Sequence, residues 1–395
     1  MAKDTIGILG AGIAGITAAY YAAKKGFDVT LFEQENYPAM RCSYANGGQV
    51  SVSNSEVWNT WANVYKGIKW MLKKDAPLLI RPSLDIDKAI WLAKFLYHTA
   101  KNEYAKNTAK TIRMGLEARK LYQTIMSEHN LNFDQSKSGI LHIYKNLKYY
   151  HAAKDASELY TSEGCQYKLL DENEVINLEP TLRYYDGLIG GVWTEDDWTG
   201  DIHKFCIELS KLLVDQYSVR FVYNYKLKHI NELRQYNKVI IANGIGATKV
   251  AKTIGDKLNV YPVKGYSITI PIKNETSYNS APKTSLLDEE SKVVTSLLGN
   301  RLRIAGTAEF DGENYDIRND RIKPLLNWVH KNFPNVVCDE YSSWACLRPM
   351  TPNMMPVYTR SKHKENVYYH VGHGHLGWTL APYTAKLLIE EICRN

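Results

Sequence analysis

Residues 1–33 constrain this chain more than any other stretch. An apolar run, Ile6–Leu9, leads into Gly10-Ala11-Gly12-Ile13-Ala14-Gly15, a small-residue segment follows, and a second apolar run, Val29–Phe32, ends on Glu33. Strand, glycine turn, helix, strand and acid, in that order, specify a βαβ unit that holds a dinucleotide. Gly10 permits the tight turn, Gly12 lets backbone approach a pyrophosphate, and Gly15 lets helix and strand pack closely. The N–H groups and dipole of the helix start favour the negative charge placed there. Glu33, roughly twenty residues on, is positioned for a ribose diol and against a 2′-phosphate. The glycine spacing alone is a weak signal; its flanking elements make it specific.

At 395 residues the chain can bury a large core and form two domains. Hydrophobic content of 45% and charged content of 23% are those of a globular protein. The first strand begins almost at the N-terminus, which leaves no room for a signal peptide, and no apolar run nears the ~18 residues of a membrane span. The six cysteines, Cys42, Cys165, Cys206, Cys338, Cys346 and Cys393, form no CxxC pair and read as reduced thiols of a cytoplasmic protein. A net charge of +7 permits contact with anionic lipid. Basic and acidic residues are mixed and no nucleic-acid motif occurs, so no nucleic-acid partner is expected.

After Glu33 comes a loop, 36–49, rich in Asn and Gly. Helical periodicity follows over 57–74, 87–102 and 107–129, then near 151–162, 201–215 (with Thr199 or Asp201 as N-cap) and 325–333. Strands are expected at 139–144, near 167–170, at 219–223 and at 238–242. Segments 265–271, 292–298 and 302–308 read as antiparallel strands of a second sheet, and 367–371 with 380–393 as a last strand and closing helix. The expected fold class is α/β: a Rossmann-like dinucleotide domain from 1–66, 199–258 and 338–395, and an α+β substrate domain from 67–198 and 259–337.

Further motifs carry chemistry. Val239–Gly244 is an apolar strand ending in a small-residue turn, where a second backbone segment approaches the dinucleotide. Val371–Thr379 is another glycine-rich strand-to-helix turn, whose N–H groups suit an electron-rich carbonyl or reduced ring. His370, His373 and His375 lie there without a neighbouring cluster of Cys or carboxylates, so no metal site is expected. Arg348 stands among apolar residues in Trp344–Pro352 and needs an anionic partner, either an internal carboxylate or a substrate's. Trp61, Tyr65, Ile68 and Leu72 form an apolar stripe with Lys66, Lys69 and Lys73 on another face. The simpler expectation packs that stripe on its own domain; the alternative lays it on a membrane surface.

Ser43-Tyr44-Ala45-Asn46-Gly47-Gly48-Gln49, Lys69-Trp70 with Ala76-Pro77-Leu78, Tyr261–Ser267, Leu347–Pro352 and Gly372–Thr379 occur together and in order. With them nearly the whole chain resembles the FAD-dependent D-amino-acid dehydrogenases, the bacterial quinone-linked small-subunit type of the D-amino-acid oxidase fold. The resemblance implies FAD as cofactor. Gly10, Ala11, Gly12, Ile13, Ala14 and Gly15 would hold the pyrophosphate, and Glu33 with Gln34 the adenosine end. Arg41, Cys42, Ser43, Asn46, Gly47, Gly48 and Gln49 would follow the ribityl chain and flavin, Leu227 the adenine, with Ala242, Asn243 and Gly244 completing that end. Gly374, His375, Leu376, Gly377, Trp378 and Thr379 would cover the pyrimidine edge. Arg348 and Tyr266 would grip the carboxylate of a D-amino acid or related amine while hydride leaves Cα for the flavin. The product would be a 2-oxo acid with ammonia, and the electrons would pass to a quinone or other acceptor. Peripheral contact with the inner face of the membrane goes with that setting. Cys346 stands where these dehydrogenases carry glycine and aligns by spacing with the cysteine that links flavin covalently in sarcosine-type oxidases. The alternative is therefore an oxygen-using oxidase of glycine, sarcosine or another secondary amine, with FAD attached at Cys346.

Overall fold

A computed structural model describes residues 3–71 and 76–394. Strand β1 (Thr5–Leu9) is a run of mostly buried apolar residues and sits central in a six-stranded sheet. It pairs in parallel with β2 (Asp28–Phe32) and with Lys238–Ile241, Ile8 facing both Leu31 and Ile240. Val367–Val371 and Arg220–Val222 extend the parallel sheet, and Val357–Arg360 closes one edge antiparallel. Helix α1 (Ile13–Lys24) packs on one face with helices Ile202–Tyr217 and Gly377–Arg394. Its Ala18, Ala19, Ala22 and Ala23 are buried and allow that close approach. Asp201 is the N-cap of Ile202–Tyr217, accepting from the N–H groups of His203 and Lys204.

A nine-stranded sheet forms the second layer, with Tyr261–Pro271, Arg301–Phe310 and Val293–Leu298 antiparallel as expected and helix Asn319–Asn332 packed beneath. Ser342–Met350 is the outer strand of this sheet, paired with Tyr261–Pro271 from Tyr261–Met350 to Thr269–Ser342. The unit expected at 338–395 is therefore split: its first strand belongs to the second sheet and the rest to the first. Arg348 and Pro349 interrupt the apolar pattern and conceal the strand. The closing helix begins at Gly377, ahead of the expected 380, although Pro382 lies within it. Proline cannot supply the N–H that would bond the Trp378 carbonyl. The Tyr122 hydroxyl, on helix Tyr104–Glu128, donates to that carbonyl instead, at 2.6 Å.

Helix α2 (Trp61–Met71) and helix α3 (Ile86–Ala100) stand over one end of the second sheet. Among the described residues the apolar stripe of α2 is not packed on its own domain. Trp61, Tyr65 and Ile68 are 61, 64 and 58% exposed, and Gly67 is the buried residue of that helix. Leu72 and Lys73 lie outside the described residues. Among those residues, no helix is long and apolar enough to cross a membrane.

Candidate active site

One cavity of about 1230 Å³ runs between the two sheets. Gly10, with φ of +104°, turns the chain out of β1, and a Cβ on Gly15 would lie 1.8 Å from the Gly10 carbonyl oxygen. Neither position admits another residue. Gly12 is the N-cap of α1 without a side-chain cap, and no acid occupies the first turn, so the helix start opens on the cavity. Two of its N–H groups are already engaged: Ala11 N–H donates to Glu33 Oε2 at 2.7 Å and Ile13 N–H to Ser43 Oγ at 3.0 Å. Burial raises the Glu33 carboxyl against the backbone N–H groups that bind it.

Most of the sequence-expected residues line this single cavity. Gly10, Gly12, Ile13, Ala14, Glu33, Gln34, Arg41, Cys42, Ser43, Asn46, Gly47, Gln49 and Leu227 do so from one side. Ala242, Asn243, Gly244, Cys346, Arg348 and the turn from Gly374 to Thr379 do so from the other. Ala11, Gly15 and Gly48 stand behind the lining and shape its turns. The 45–49 loop is tied to the second sheet. Ser267 Oγ donates to the Ala45 carbonyl, Arg303 to that of Asn46 and Ser296 Oγ to that of Gly47, while Gln49 Nε2 donates to Ser285 Oγ.

Arg348 reaches the cavity over Gly265, where a Cβ would come within 2.2 Å of its Nη2. Its Nη1 donates to the Thr307 carbonyl at 3.0 Å, and among the described residues it has no carboxylate partner. Thr307 owes its position to a bulge: Lys264 faces Glu309 while Tyr266 faces Gly306, leaving an extra residue on the second strand. Its φ of +61° is a strained conformation for a β-branched side chain. Nothing in the sequence pattern marks this bulge.

Tyr266 borders the same cavity as Arg348, but its hydroxyl turns away from it. Alternation along Tyr261–Pro271 turns its ring to the face opposite Gly265, into the apolar core. Its hydroxyl donates to Glu309 Oε2 at 2.6 Å, in a buried cluster that includes Arg81 and Arg318. Of the carboxylate-gripping pair inferred from resemblance, the Tyr266 hydroxyl is engaged by Glu309 and Arg348 directs its guanidinium over Gly265.

Cys42 Sγ donates to the Leu347 carbonyl at 2.8 Å. The adjoining Cys42 thiol and the Arg348 cation lower the Cys346 thiol, against burial. His375 stacks on Trp58 at 4.9 Å, and burial, with the Arg348 cation, lowers it to about 4.

His370 and His373 serve the fold. His370 Nδ1 lies 3.0 Å from the Ala14 carbonyl and Nε2 2.8 Å from Thr384 Oγ1, which His373 Nε2 also meets at 2.9 Å. Neutral rings complete one chain of donors and acceptors ending on the first turn of α1. Burial lowers His370 to about 4, so below pH 6.5 the unfolded chain takes up a proton that the folded one refuses. Stability is full above that pH and falls on acidification, by roughly 2 kcal/mol from this group between pH 6.5 and 5. Thermal melts across that range are expected to be flatter for His370→Asn than for the parent, and equal slopes would refute the assignment.

The family model for FAD dependent oxidoreductase, DAO, matches residues 5–391. The chain belongs to the DAO family. This family member is 42% identical to D-amino acid dehydrogenase 3 of Mesorhizobium japonicum, over 98% of this chain and 97% of that one. It is 34% identical to D-amino acid dehydrogenase of Rhizobium johnstonii, over 96% and 94%. The DAO fold is shared with glycine oxidase from Bacillus cereus (TM-score 0.75, 18% identity, 99% and 95% coverage). It is also shared with L-proline dehydrogenase from P. horikoshii (TM-score 0.73, 16% identity, 99% and 94%). As a DAO member the protein is an FAD-dependent enzyme, and the open start of α1, the Gly10 turn and the long cavity fit that cofactor.

Proposed function

We propose that this enzyme oxidises small or medium neutral D-amino acids to 2-oxo acids and ammonia and delivers the electrons to a quinone-type acceptor. The observation that carries the reading is Arg348, a guanidinium inside the cavity whose one hydrogen-bond partner among the described residues is the Thr307 carbonyl. A planar fork of donors with no carboxylate of its own matches a substrate carboxylate through two parallel hydrogen bonds. The names of the D-amino acid dehydrogenase relatives support the substrate class. FAD, when bound, supplies the acceptor for the hydrogen and electron pair leaving Cα. The chain's own part is positioning: Thr307 sets the guanidinium, Arg348 sets the carboxylate, and the α-hydrogen is oriented as a consequence, which contributes several kcal/mol. The substrate amine must be neutral for its lone pair to assist. Anaerobic titration of the yellow protein with D-alanine is expected to bleach the flavin band, with L-alanine leaving it intact; an unchanged band that dithionite still bleaches would overturn the reading.

The lowered thiol of Cys346, beside Cys42, favours a second feature, a thioether link to the flavin, in which the sulfur would replace a hydrogen of the cofactor and the two electrons released would leave to the same acceptor. Acid precipitation is expected to carry the yellow colour into the pellet, and Cys346→Ala to release it into the supernatant. Colour wholly in the parent's supernatant would exclude the link. The exposed edge of α2, with Lys69 beside Tyr65, supports peripheral contact with the inner face of a membrane. Co-sedimentation with anionic but not neutral vesicles tests it.

A further inference from the structure

The cavity has an arm that neither the dinucleotide nor a small amino acid accounts for. From Trp58 and His375 it extends between α2 and α3, lined by Val64, Ile68, Leu78, Ile80, Leu92 and Phe95. Ile68 and Met71 line this arm and are also 58 and 45% exposed, so one apolar surface runs unbroken from the interior to the outside. Along α2 the series Trp61, Tyr65, Ile68, Met71 follows the i, i+4, i+7 spacing of a helix face that is normally buried. A contiguous exposed face of that kind marks a hydrophobic partner. Polar groups gather at one end: Lys66 lines the cavity with Asn63, Glu56, Glu289 and Lys292, and its Nζ lies 4.2 Å from the centre of the Tyr149 ring and 4.7 Å from that of Trp70.

We propose that this arm binds a lipophilic quinone, head group inward near Lys66 and hydrocarbon tail along Ile68 and Met71. The inference rests on the dehydrogenase reading and gives the acceptor a place. It commits to a quinone because the arm joins an apolar wall open to the outside with a polar end that carries a proton-donating ammonium, Lys66. Burial lowers Lys66 to about 8, so its ammonium gives up a proton readily. The quinone gains two electrons and two protons. Bound FAD would supply the electron pair with one proton, those taken from the substrate's Cα; the second proton comes from Lys66, which solvent recharges. The product is the quinol.

The test uses the holoenzyme, with decylubiquinone as probe and a water-soluble dye as the comparison acceptor. Ile68→Asp and Met71→Asp, on partly exposed positions, are expected to raise KM for decylubiquinone about tenfold relative to the dye. Quenching of tryptophan fluorescence by the quinone should weaken in parallel. Lys66→Met should lower kcat with the quinone more than with the dye. Unaltered quinone KM and quenching in both aspartate variants would overturn the site. A raised KM for D-leucine with quinone kinetics intact would overturn it too, by making the arm a side-chain pocket. Failure of the dehydrogenase reading is separable: D-amino acids would then not bleach the parent enzyme, while quinone quenching and its loss in the variants would persist.

Discussion

Arg348→Ala is expected to lower kcat/KM for a D-amino acid by about 10²–10³-fold, mostly through KM, with the flavin spectrum retained. Among the described residues the guanidinium has one hydrogen-bond partner, the Thr307 carbonyl, so its removal orphans one main-chain acceptor and leaves the substrate carboxylate unpaired. Arg348→Lys keeps the charge and loses the fork, and should recover part of the loss. Steady-state kinetics beside anaerobic flavin reduction separate binding from chemistry. Parent-like kinetics in Arg348→Ala would remove the substrate from this end of the cavity.

Gly15→Ala should yield protein with little or no FAD. The added Cβ would lie 1.8 Å from the Gly10 carbonyl oxygen, so turn and helix must separate. That separation spoils the pocket at the helix start. Gly12→Ala is the comparison, since its Cβ would meet Ser43 Oγ at an ordinary 3.4 Å within the protein and intrude only on the space facing the cavity. Flavin absorbance per protein, with circular dichroism to confirm folding, measures both. A folded Gly15→Ala protein with full flavin content would contradict the packing argument.

The dinucleotide half was legible because its rules are local. A glycine turn, an apolar strand and an acid at the strand end each act within a few residues, and Gly10, Gly15 and Glu33 stand where those rules put them. The substrate half depends on pairing across the chain. Resemblance supplied Arg348, but strand alternation, which sets Gly265 and Tyr266 on opposite faces, turns the Tyr266 hydroxyl away from it. The Thr307 bulge is invisible to periodicity, since the extra residue is defined by the partner strand. The exposure of α2 escaped for a different reason: an apolar stripe says that a face wants cover and not what covers it.

Ser342–Met350 has one further consequence. It lies in the second sheet, yet Met350 forms a bridge with His373 of the first domain, and the Leu347 carbonyl takes the Cys42 thiol. With the ties of the 45–49 loop, this stitches the two lobes together at several points. Separation of the lobes would have to break these ties, so entry to the cavity is expected to run through side-chain motion at its mouth.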